Sequence, residues 1–172
     1  MINNTWEERK LFDNLAPIRQ VFDIFVENCR KAYILDAYET IDEMLLAFRG
    51  RCQFRQYIPS KPAKYRIKIL ALVDAKSFYI FNLEIYAGKQ PEGPFFVSNK
   101  PFDVVNRLVL PISKTGHNVT FDNWFTSYEL LLLNEHKLTS VGTVRKNKRQ
   151  LPRSFINTRG AAIFSSKHSK SK

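Results

Sequence analysis

The sequence predicts an α/β fold, a mixed five-stranded sheet flanked by helices, from three observations. Helix-like and strand-like hydrophobic patterns are interspersed along the chain, in the order helix, three strands, helix, strand, helix, strand. Turn and loop signals separate several of these patterns. With 172 residues, 44% of them hydrophobic and 25% charged, the chain suits one globular domain with a substantial core.

The first half of the chain predicts one helix and three strands. Apolar residues recur at helical spacing over residues 13–31, which predicts an N-terminal amphipathic helix whose apolar positions pack on the rest of the domain. Residues 40–48 are apolar on both sides of the pleat apart from Asp42 and Glu43, as in a central strand. Residues 67–73 and 78–86 predict two further strands, and the short connection 74–77 predicts a hairpin between them.

The second half predicts two helices and two strands. Residues 88–100 are rich in Gly, Pro and Ser and are expected to form a loop. A proline and an aspartate then suit the first turn of a helix over residues 101–109. A short strand is predicted at 119–122 and another at 140–145. Between them, Thr and Glu three residues apart form a capping box for a leucine-rich helix over residues 126–133.

The predicted domain occupies residues 13–155. Residues 1–12 are expected to be an N-terminal extension. Residues 156–172 are basic and are expected to form a flexible tail. The sequence shows no internal repeat, so a single domain accounts for the whole pattern.

The formal charge of +11 is unevenly spread, and no acidic residue follows Glu135. Such asymmetry favours a polyanionic partner, because neutralising phosphates releases their counterions. A solvated basic face is the alternative interpretation. The candidate phosphate-binding residues lie in two stretches: Arg49, Arg51, Arg55, Lys61 and Lys64, then Arg145, Lys146, Lys148 and Arg149.

Cysteine and histidine spacing argues against a structural zinc site. Cys29 and Cys52 form no Cys-x-x-Cys pair, and His117, His136 and His168 are scattered. We expect reduced thiols in an intracellular protein. The sequence has no apolar stretch of membrane-spanning length and no signal-peptide pattern, so a membrane is not an expected partner.

Two aspartates interrupt apolar runs at points where a buried charge is costly without compensation. Asp42 lies in the predicted central strand, and Asp122 ends the predicted fourth strand. Two carboxylates brought together from separate strands are a common way to hold a divalent cation. From spacing alone a second interpretation is open, in which Asp42 is an exposed strand residue and Asp122 forms an Asx turn that caps the next helix.

Five sequence blocks within residues 13–155 carry a resemblance to one protein family, in their residues, their order and their spacing. They comprise residues 13–29, 40–45 (Thr-Ile-Asp-Glu-Met-Leu), 48–65 (which begins Phe-Arg-Gly-Arg-Cys), 116–127 (Gly-His-Asn-Val-Thr-Phe-Asp-Asn-Trp-Phe-Thr-Ser) and 141–149 (Val-Gly-Thr-Val-Arg-Lys-Asn-Lys-Arg). Together these blocks resemble the piggyBac family of transposases and their domesticated relatives.

The resemblance implies an RNase H-like core and a DDE-type active site, in which three aspartates bind two Mg²⁺ ions for DNA cleavage and strand transfer. Asp42 matches the first catalytic aspartate and Asp122 the second. Both are therefore candidate catalytic and metal-binding residues, with Mg²⁺ or, as an alternative, Mn²⁺ as the cofactor. The third aspartate has no match, so the chain is expected to be truncated before it. DNA becomes the expected partner of the basic stretches, and full-length family members dimerise.

Residues beside these aspartates receive structural predictions. Glu43 points to the opposite face of the pleat from Asp42 and suits an ion pair, whereas Asp74 suits a turn. Trp124 and Phe125 are expected to pin the second aspartate's loop into the core. Stacking of Trp124 on a flipped base is the alternative.

Two residues depart from the resemblance. Arg66 stands where the family commonly has glycine, which matters if that backbone adopts a positive φ angle. His117 stands where an arginine is usual, which removes a fixed charge near the expected metal site. Within the first basic stretch, Phe54 and Tyr57 are expected to be buried rather than stacked on bases.

The resulting expectation is a piggyBac transposable element-derived protein fragment, located in the nucleus, without autonomous transposition. A domesticated DNA-binding or regulatory protein that has lost catalysis is the alternative. The basic run 146–149 also suits a nuclear-import patch.

Overall fold

The computed structural model describes residues 6–126, 135–149, 151–157, 160, 162, 165 and 166. These residues contain four helices, a short 3₁₀ turn and six strands. In chain order they are α1 (Trp6–Arg9), α2 (Arg19–Ala32), β1 (Tyr38–Ala47), β2 (Gln56–Tyr57), β3 (Tyr65–Asp74), β4 (Ile80–Ile85), α3 (Pro101–Val109), the 3₁₀ turn (Leu110–Ile112), β5 (Asn118–Phe121), β6 (Thr139–Gly142) and α4 (Arg153–Ile156).

Strand β1 lies at the centre of one mixed sheet with the order β2-β3-β1-β5-β6. It pairs antiparallel with β3 on one side and parallel with β5 on the other. Strand β6 extends the parallel half beyond β5. On the far edge of β3, β2 pairs with the first residues of that strand and β4 pairs with the rest.

Helix α3 covers one face of the sheet and forms the main core with it. Its residues Val104, Val105, Leu108 and Val109 are all buried, because their spacing places them on one side of the helix. The sheet residues of this cluster are Ile41, Leu70, Leu72, Phe81, Val119 and Phe121. Burial of these side chains is the main favourable term holding β1, β3 and β5 together.

Helix α2 covers the opposite face, but only over β3 and β4. Phe22 and Val26 pack against Ala71 and Leu83 there. The same face of β1 is left open, and the side chain of Leu46 is 53% exposed. The sheet is therefore two-sided at β3 and β4 and one-sided at β1.

Charged and polar contacts fix both helices relative to the sheet edge. Arg107 of α3 makes two hydrogen bonds of 2.8 Å to the Glu84 carboxylate on β4, a bidentate geometry that fixes orientation as well as distance. Before α2, the buried Asp13 accepts hydrogen bonds from Arg19 and from Gln90 of the loop that follows β4. These contacts hold the pKa of Asp13 below its ordinary value, although burial opposes the shift.

The first half of the predicted fold is largely confirmed. Strands β1, β3 and β4 lie where they were expected, and β1 is central. The hairpin turn depends on Asp74, which accepts backbone N–H bonds from Asp36, Lys76 and Ser77. These bonds lower the pKa of Asp74 to about 2. Its predicted turn role is confirmed.

The N-terminal helix differs from its prediction in two respects. It begins at Arg19, because residues 13–18 form turns around Pro17 instead. Its apolar residues are also not all packed on the domain: Val21 is 74% exposed and Phe25 is 54% exposed, while Phe22 and Val26 face inward. A helix with apolar residues on both sides has two candidate buried faces, and the sequence pattern does not choose between them.

In the second half, α3 and β5 lie as predicted, and β6 ends three residues earlier than expected, at Gly142. Strand β2 and helix α4 were not predicted, because each is too short to show a periodicity. The sheet therefore has six strands rather than five. The predicted helix over residues 126–133 and most of the predicted tail lie outside the described residues. Within the described part, no helix is both long and apolar enough to cross a membrane.

Leu72→Ala should lower the free energy of unfolding by about 2–5 kcal/mol, because the fully buried side chain leaves a cavity in the main core. Leu46→Ala, on the open face, is the matched control and should cost about 1 kcal/mol or less. Urea unfolding followed by circular dichroism measures both. Equal losses would mean that the open face of β1 is covered in solution.

Candidate functional site

Asp42 lies in β1, and Asp122 is the residue directly after the neighbouring strand β5. The parallel register of β1 with β5 pairs Ile41 with Phe121, and each aspartate is the next residue along its chain. Neighbouring strands run about 4.8 Å apart, so the two carboxyl groups start from adjacent points of the sheet. The predicted adjacency of the two strands is confirmed, and the metal-binding role of the two residues stays a prediction.

Asp42 projects from the open part of the sheet. Its side chain is exposed, and its register partner on β3 is Ala71, on the opposite face from the main core. Its Oδ1 atom accepts a 2.7 Å hydrogen bond from the backbone N–H of Glu43. No described residue binds the other oxygen, Oδ2, so that atom is available to a ligand.

Asp122 organises the turn after β5. Its Oδ1 accepts hydrogen bonds from the backbone N–H groups of Trp124 and Phe125, at 2.9 and 3.3 Å. Thr126 closes the turn by donating from its side chain and backbone to the Asp122 carbonyl. The Asx-turn interpretation is therefore correct in geometry. It is compatible with a ligand role, because only one of the two carboxylate oxygens is used by described residues.

The aromatic residues after Asp122 hold this turn against the core. Phe125 is fully buried, and Trp124 packs edge-on to its ring at 4.7 Å and is partly buried against the main core. Lys68 places its ammonium 4.4 Å from the Trp124 ring centroid, a cation–π distance. The predicted packing role of both aromatic residues is confirmed.

Glu43 lies on the other face of β1 from Asp42, as predicted. Its carboxylate is 3.5 Å from the Lys68 ammonium, which also contacts Trp124. Lys68 therefore connects β1, β3 and the Asp122 turn. Glu43 is engaged in this ion pair on the face away from Asp42, which suits a structural role.

Among the described residues, the candidate metal ligands are two carboxylates, those of Asp42 and Asp122. Among those residues, no group of three or more His, Cys, Asp or Glu is placed to hold a metal ion. Two exposed carboxylates fit a single hard divalent cation that keeps several waters. They do not supply the charge or the ligand number of a two-ion centre.

The first basic stretch is an exposed loop that begins where β1 ends. Arg49, Arg51, Lys61 and Lys64 are exposed, as a phosphate-binding role requires. Arg55 is different, because it donates to the carbonyl oxygens of residues 49 and 50 and lies 4.2 Å from the Tyr65 ring centroid. Part of its function is thus to shape the loop itself.

The two aromatic residues of this loop differ in burial. Phe54 is buried, as predicted. Tyr57 is 56% exposed, so the prediction that it is buried is wrong. It lies in the two-residue strand β2 at the sheet edge and packs one side of its ring on Tyr65 at 5.1 Å, which leaves the other side in solvent.

The second basic stretch lies against the Asp122 turn. Arg145 donates a 3.2 Å hydrogen bond to the side chain of Asn123, next to Asp122. Arg145, Lys148 and Arg149 then line an open hollow of about 440 Å³ whose floor includes Trp124. Lys146 is exposed beside them. The fold therefore brings these cations to Asn123 and Trp124, the residues directly after Asp122, although more than twenty residues separate them along the chain.

A buried acid near the site was missed by sequence reasoning. Glu39 of β1 is fully buried, and neither of its carboxyl oxygens has a hydrogen-bond partner in the described structure. Burial, and the charges of Asp74 and Asp36, raise its pKa to about 7. His117 lies 3.6 Å away, measured from Nε2 to Oε1. The available signal was the alternation of β1, since Glu39 is in phase with the buried Ile41.

Neither departure from the resemblance distorts the backbone. Arg66 is in the extended part of β3, where it pairs with residues of β1 and β2, so the position does not need glycine. Its guanidinium donates to the carbonyl oxygens of Ala63 and Leu45. The His117 ring lies 3.6 Å from the Glu39 carboxylate, so it contacts a buried side chain of β1.

The mixed sheet, with helices on both faces and a central strand paired parallel on one side and antiparallel on the other, defines an RNase H-like domain. The sequence model of the family described as Transposase IS4 matches residues 3–171. The chain belongs to that family.

Two relatives specify the resemblance further. The human PiggyBac transposable element-derived protein 3 is 27% identical over 143 residues, which cover 78% of this chain and 23% of that protein. A piggyBac transposase, solved by cryo-EM as a synaptic complex with hairpin DNA, is 42% identical and superposes with a TM-score of 0.77. That match covers 90% of this chain and 32% of the transposase chain. These similarities confirm the predicted piggyBac-type, RNase H-like catalytic-domain segment.

Asp122→Ala should lower the free energy of unfolding by about 0.5–2 kcal/mol, because two backbone N–H groups lose their acceptor. Asp122→Asn keeps an acceptor oxygen and should stay close to the wild type. Thermal unfolding at low ionic strength without metal measures the difference. If both variants were equally destabilised, the charge rather than the turn would be the stabilising feature.

Proposed function

We propose that this domain binds DNA through its two basic stretches and holds one divalent cation weakly between Asp42 and Asp122, without cleaving DNA by itself. The observation that carries the proposal is the register of β1 with β5. It sets the two aspartates at adjacent strand positions, beside the cations of residues 145–149.

DNA binding is supported by charge and by its placement. Exposed cations lie in the loop after β1 and in the stretch after β6, and both follow the ends of strands that run parallel through the sheet. Neutralising backbone phosphates releases counterions and is independent of sequence. The piggyBac transposase that resembles this chain was solved in a complex with hairpin DNA, which suits the same partner here.

Metal binding is supported by the chemistry of the two donors. Carboxylate oxygens are preferred by Mg²⁺ and Mn²⁺, and the Oδ2 atoms of Asp42 and Asp122 accept no hydrogen bond from described residues. When bound, such a cation polarises a phosphate oxygen and lowers the pKa of its water. The chain's own contribution is to orient the two carboxyls through the Glu43 and Trp124 backbone N–H groups.

The proposal stops before catalysis, because a third acid is needed. No Asp or Glu follows Glu135 in the sequence, and the described residues offer no third ligand. Misplaced or missing ligands cost orders of magnitude in rate, since both the nucleophile and the leaving oxygen must be aligned. The chain spans about a third of the solved transposase it resembles, and the residues present match two of the three aspartates that the resemblance implies.

We also propose a nuclear location, which suits a DNA partner and the exposed basic run 146–149. Fusion of residues 141–149 to a cytoplasmic fluorescent protein tests that run as an import signal. Unchanged distribution of the fusion would remove its support.

Replacing Arg145, Lys148 and Arg149 by Gln should weaken binding to duplex DNA and lower the slope of log K against log salt by up to about 2.7, or about 0.9 per phosphate contact. The matched control replaces Lys76, Lys114 and Lys137, which are exposed and precede β4, β5 and β6. It changes the net charge equally. Fluorescence anisotropy over a salt series reports both, and equal effects would show non-specific charge attraction rather than a defined surface.

Mg²⁺ should bind weakly to the wild type and more weakly to Asp42→Asn and Asp122→Asn, because each loses one anionic ligand. Titration followed by amide chemical shifts measures this.

No cleavage or strand transfer is expected on family-type terminal repeats in Mg²⁺ or Mn²⁺. Activity above background that is lost in Asp42→Asn would contradict the proposal and would imply a ligand from another subunit. DNA binding without any metal binding would favour a regulatory protein instead.

A further inference from the structure

Glu39 and His117 form a buried acid–imidazole pair across the junction of β1 and β5. Glu39 lies in β1 and is fully buried. His117 precedes β5, and its backbone carbonyl accepts a hydrogen bond from Thr139 at the start of β6. The 3.6 Å separation of Nε2 and Oε1 is within ion-pair distance. No described residue makes a hydrogen bond to the Glu39 carboxyl oxygens, and His117 is the residue at ion-pair distance.

The hydrogen bonds of His117 define which ring nitrogen faces the acid as an acceptor. Thr115 donates its single hydroxyl hydrogen to the carbonyl oxygen of Ile112. The Thr115 oxygen is also hydrogen-bonded to Nδ1 of His117, and it must act there as the acceptor. Nδ1 therefore carries a hydrogen, which leaves the lone pair of neutral His117 on Nε2, directed at Glu39.

The facing atoms, Nε2 of neutral His117 and an oxygen of the Glu39 carboxylate, are both hydrogen-bond acceptors. They attract each other only if one of them carries a proton. If the proton is on Glu39, the carboxyl group donates to Nε2. If it is on Nε2, an imidazolium faces a carboxylate. Without it, a buried carboxylate faces a lone pair, and both lose their only partner.

The surrounding charges favour retention of that proton. Asp74, the register partner of Glu39 on β3, is ionised at neutral pH because its pKa is lowered to about 2. Asp36 precedes β1 and is also anionic, with Lys76 as its exposed partner. On α3, which covers this face, the charged residues are Asp103 and Arg107, and Arg107 is engaged by Glu84. The charges that act on Glu39 are thus negative and oppose its ionisation.

We propose that Glu39 and His117 share one proton that joins β1 to β5, and that its loss above neutral pH weakens this strand junction. The pair acts as a positioning device, because Asp42 is three residues beyond Glu39 and Asp122 is five beyond His117. Its bearing on those two aspartates rests on the proposed function. The shared proton and its effect on stability do not.

Glu39→Gln in the full 172-residue chain tests the pair without metal or DNA. A group whose folded-state pKa is raised contributes stability at low pH that is lost as the pH rises through the folded value. Between about pH 6 and about pH 8.5, the folding equilibrium constant of the wild type should therefore fall about tenfold more than that of Glu39→Gln. Glu43→Gln, the same replacement on the same strand, should follow the wild type. Urea unfolding at each pH measures all three.

A second measurement keeps the test decisive if Glu39→Gln fails to fold. In ¹³C spectra of the wild type, the carboxyl signal of Glu39 should move between about pH 6 and about pH 8, as its proton is lost, while Nδ1 of His117 keeps its hydrogen. Wild-type stability that does not fall over this range, or a hydrogen on Nε2 rather than Nδ1 at the highest pH, would overturn the proposal. Loss of metal or DNA binding would leave these results unchanged and would bear only on the proposed function.

Discussion

The parallel pairing of β1 with β5 is the constraint on which the candidate site depends. Two strands separated by seventy residues are brought side by side, and one register decides which of their side chains meet. In the observed register, Ile41 pairs with Phe121 in the core and the two aspartates follow together. A shift of one residue would exchange the buried and exposed faces of β5 and would remove Asp122 from Asp42.

The packing of the core therefore also sets the geometry of the candidate site in this domain. Val119 and Phe121 are buried under α3 with Ile41, and that burial selects the register. The polar side chains of the candidate site then lie at positions that are not buried in the core. Asp42 lies on the face that no described helix covers over β1, and Asp122 lies in the turn that Phe125 anchors.

The two ends of the β1–β5 junction differ in the charged residues that surround them. Anionic groups gather before β1 and around the β3–β4 turn, where Asp74 is satisfied by backbone N–H groups and Glu39 is left to share a partner with His117. Cations gather where β1 and β6 end, in the loop after Ala47 and in residues 145–149. A polyanion is therefore attracted to the end at which Asp122 lies.

Local sequence patterns were enough to predict helix α2, strands β1, β3, β4, β5 and β6, helix α3 and the hairpin at Asp74. They also located the two aspartates and the basic stretches, because all of these depend on local periodicity, on turn chemistry and on residue type. Tertiary structure alone decided that Val21 and Phe25 face solvent, that Tyr57 is exposed at an edge strand, and that Arg145 reaches Asn123. It also decided that Glu39 is buried against His117. Each of these depends on which element covers which face, and that is set by contacts between residues far apart in the chain.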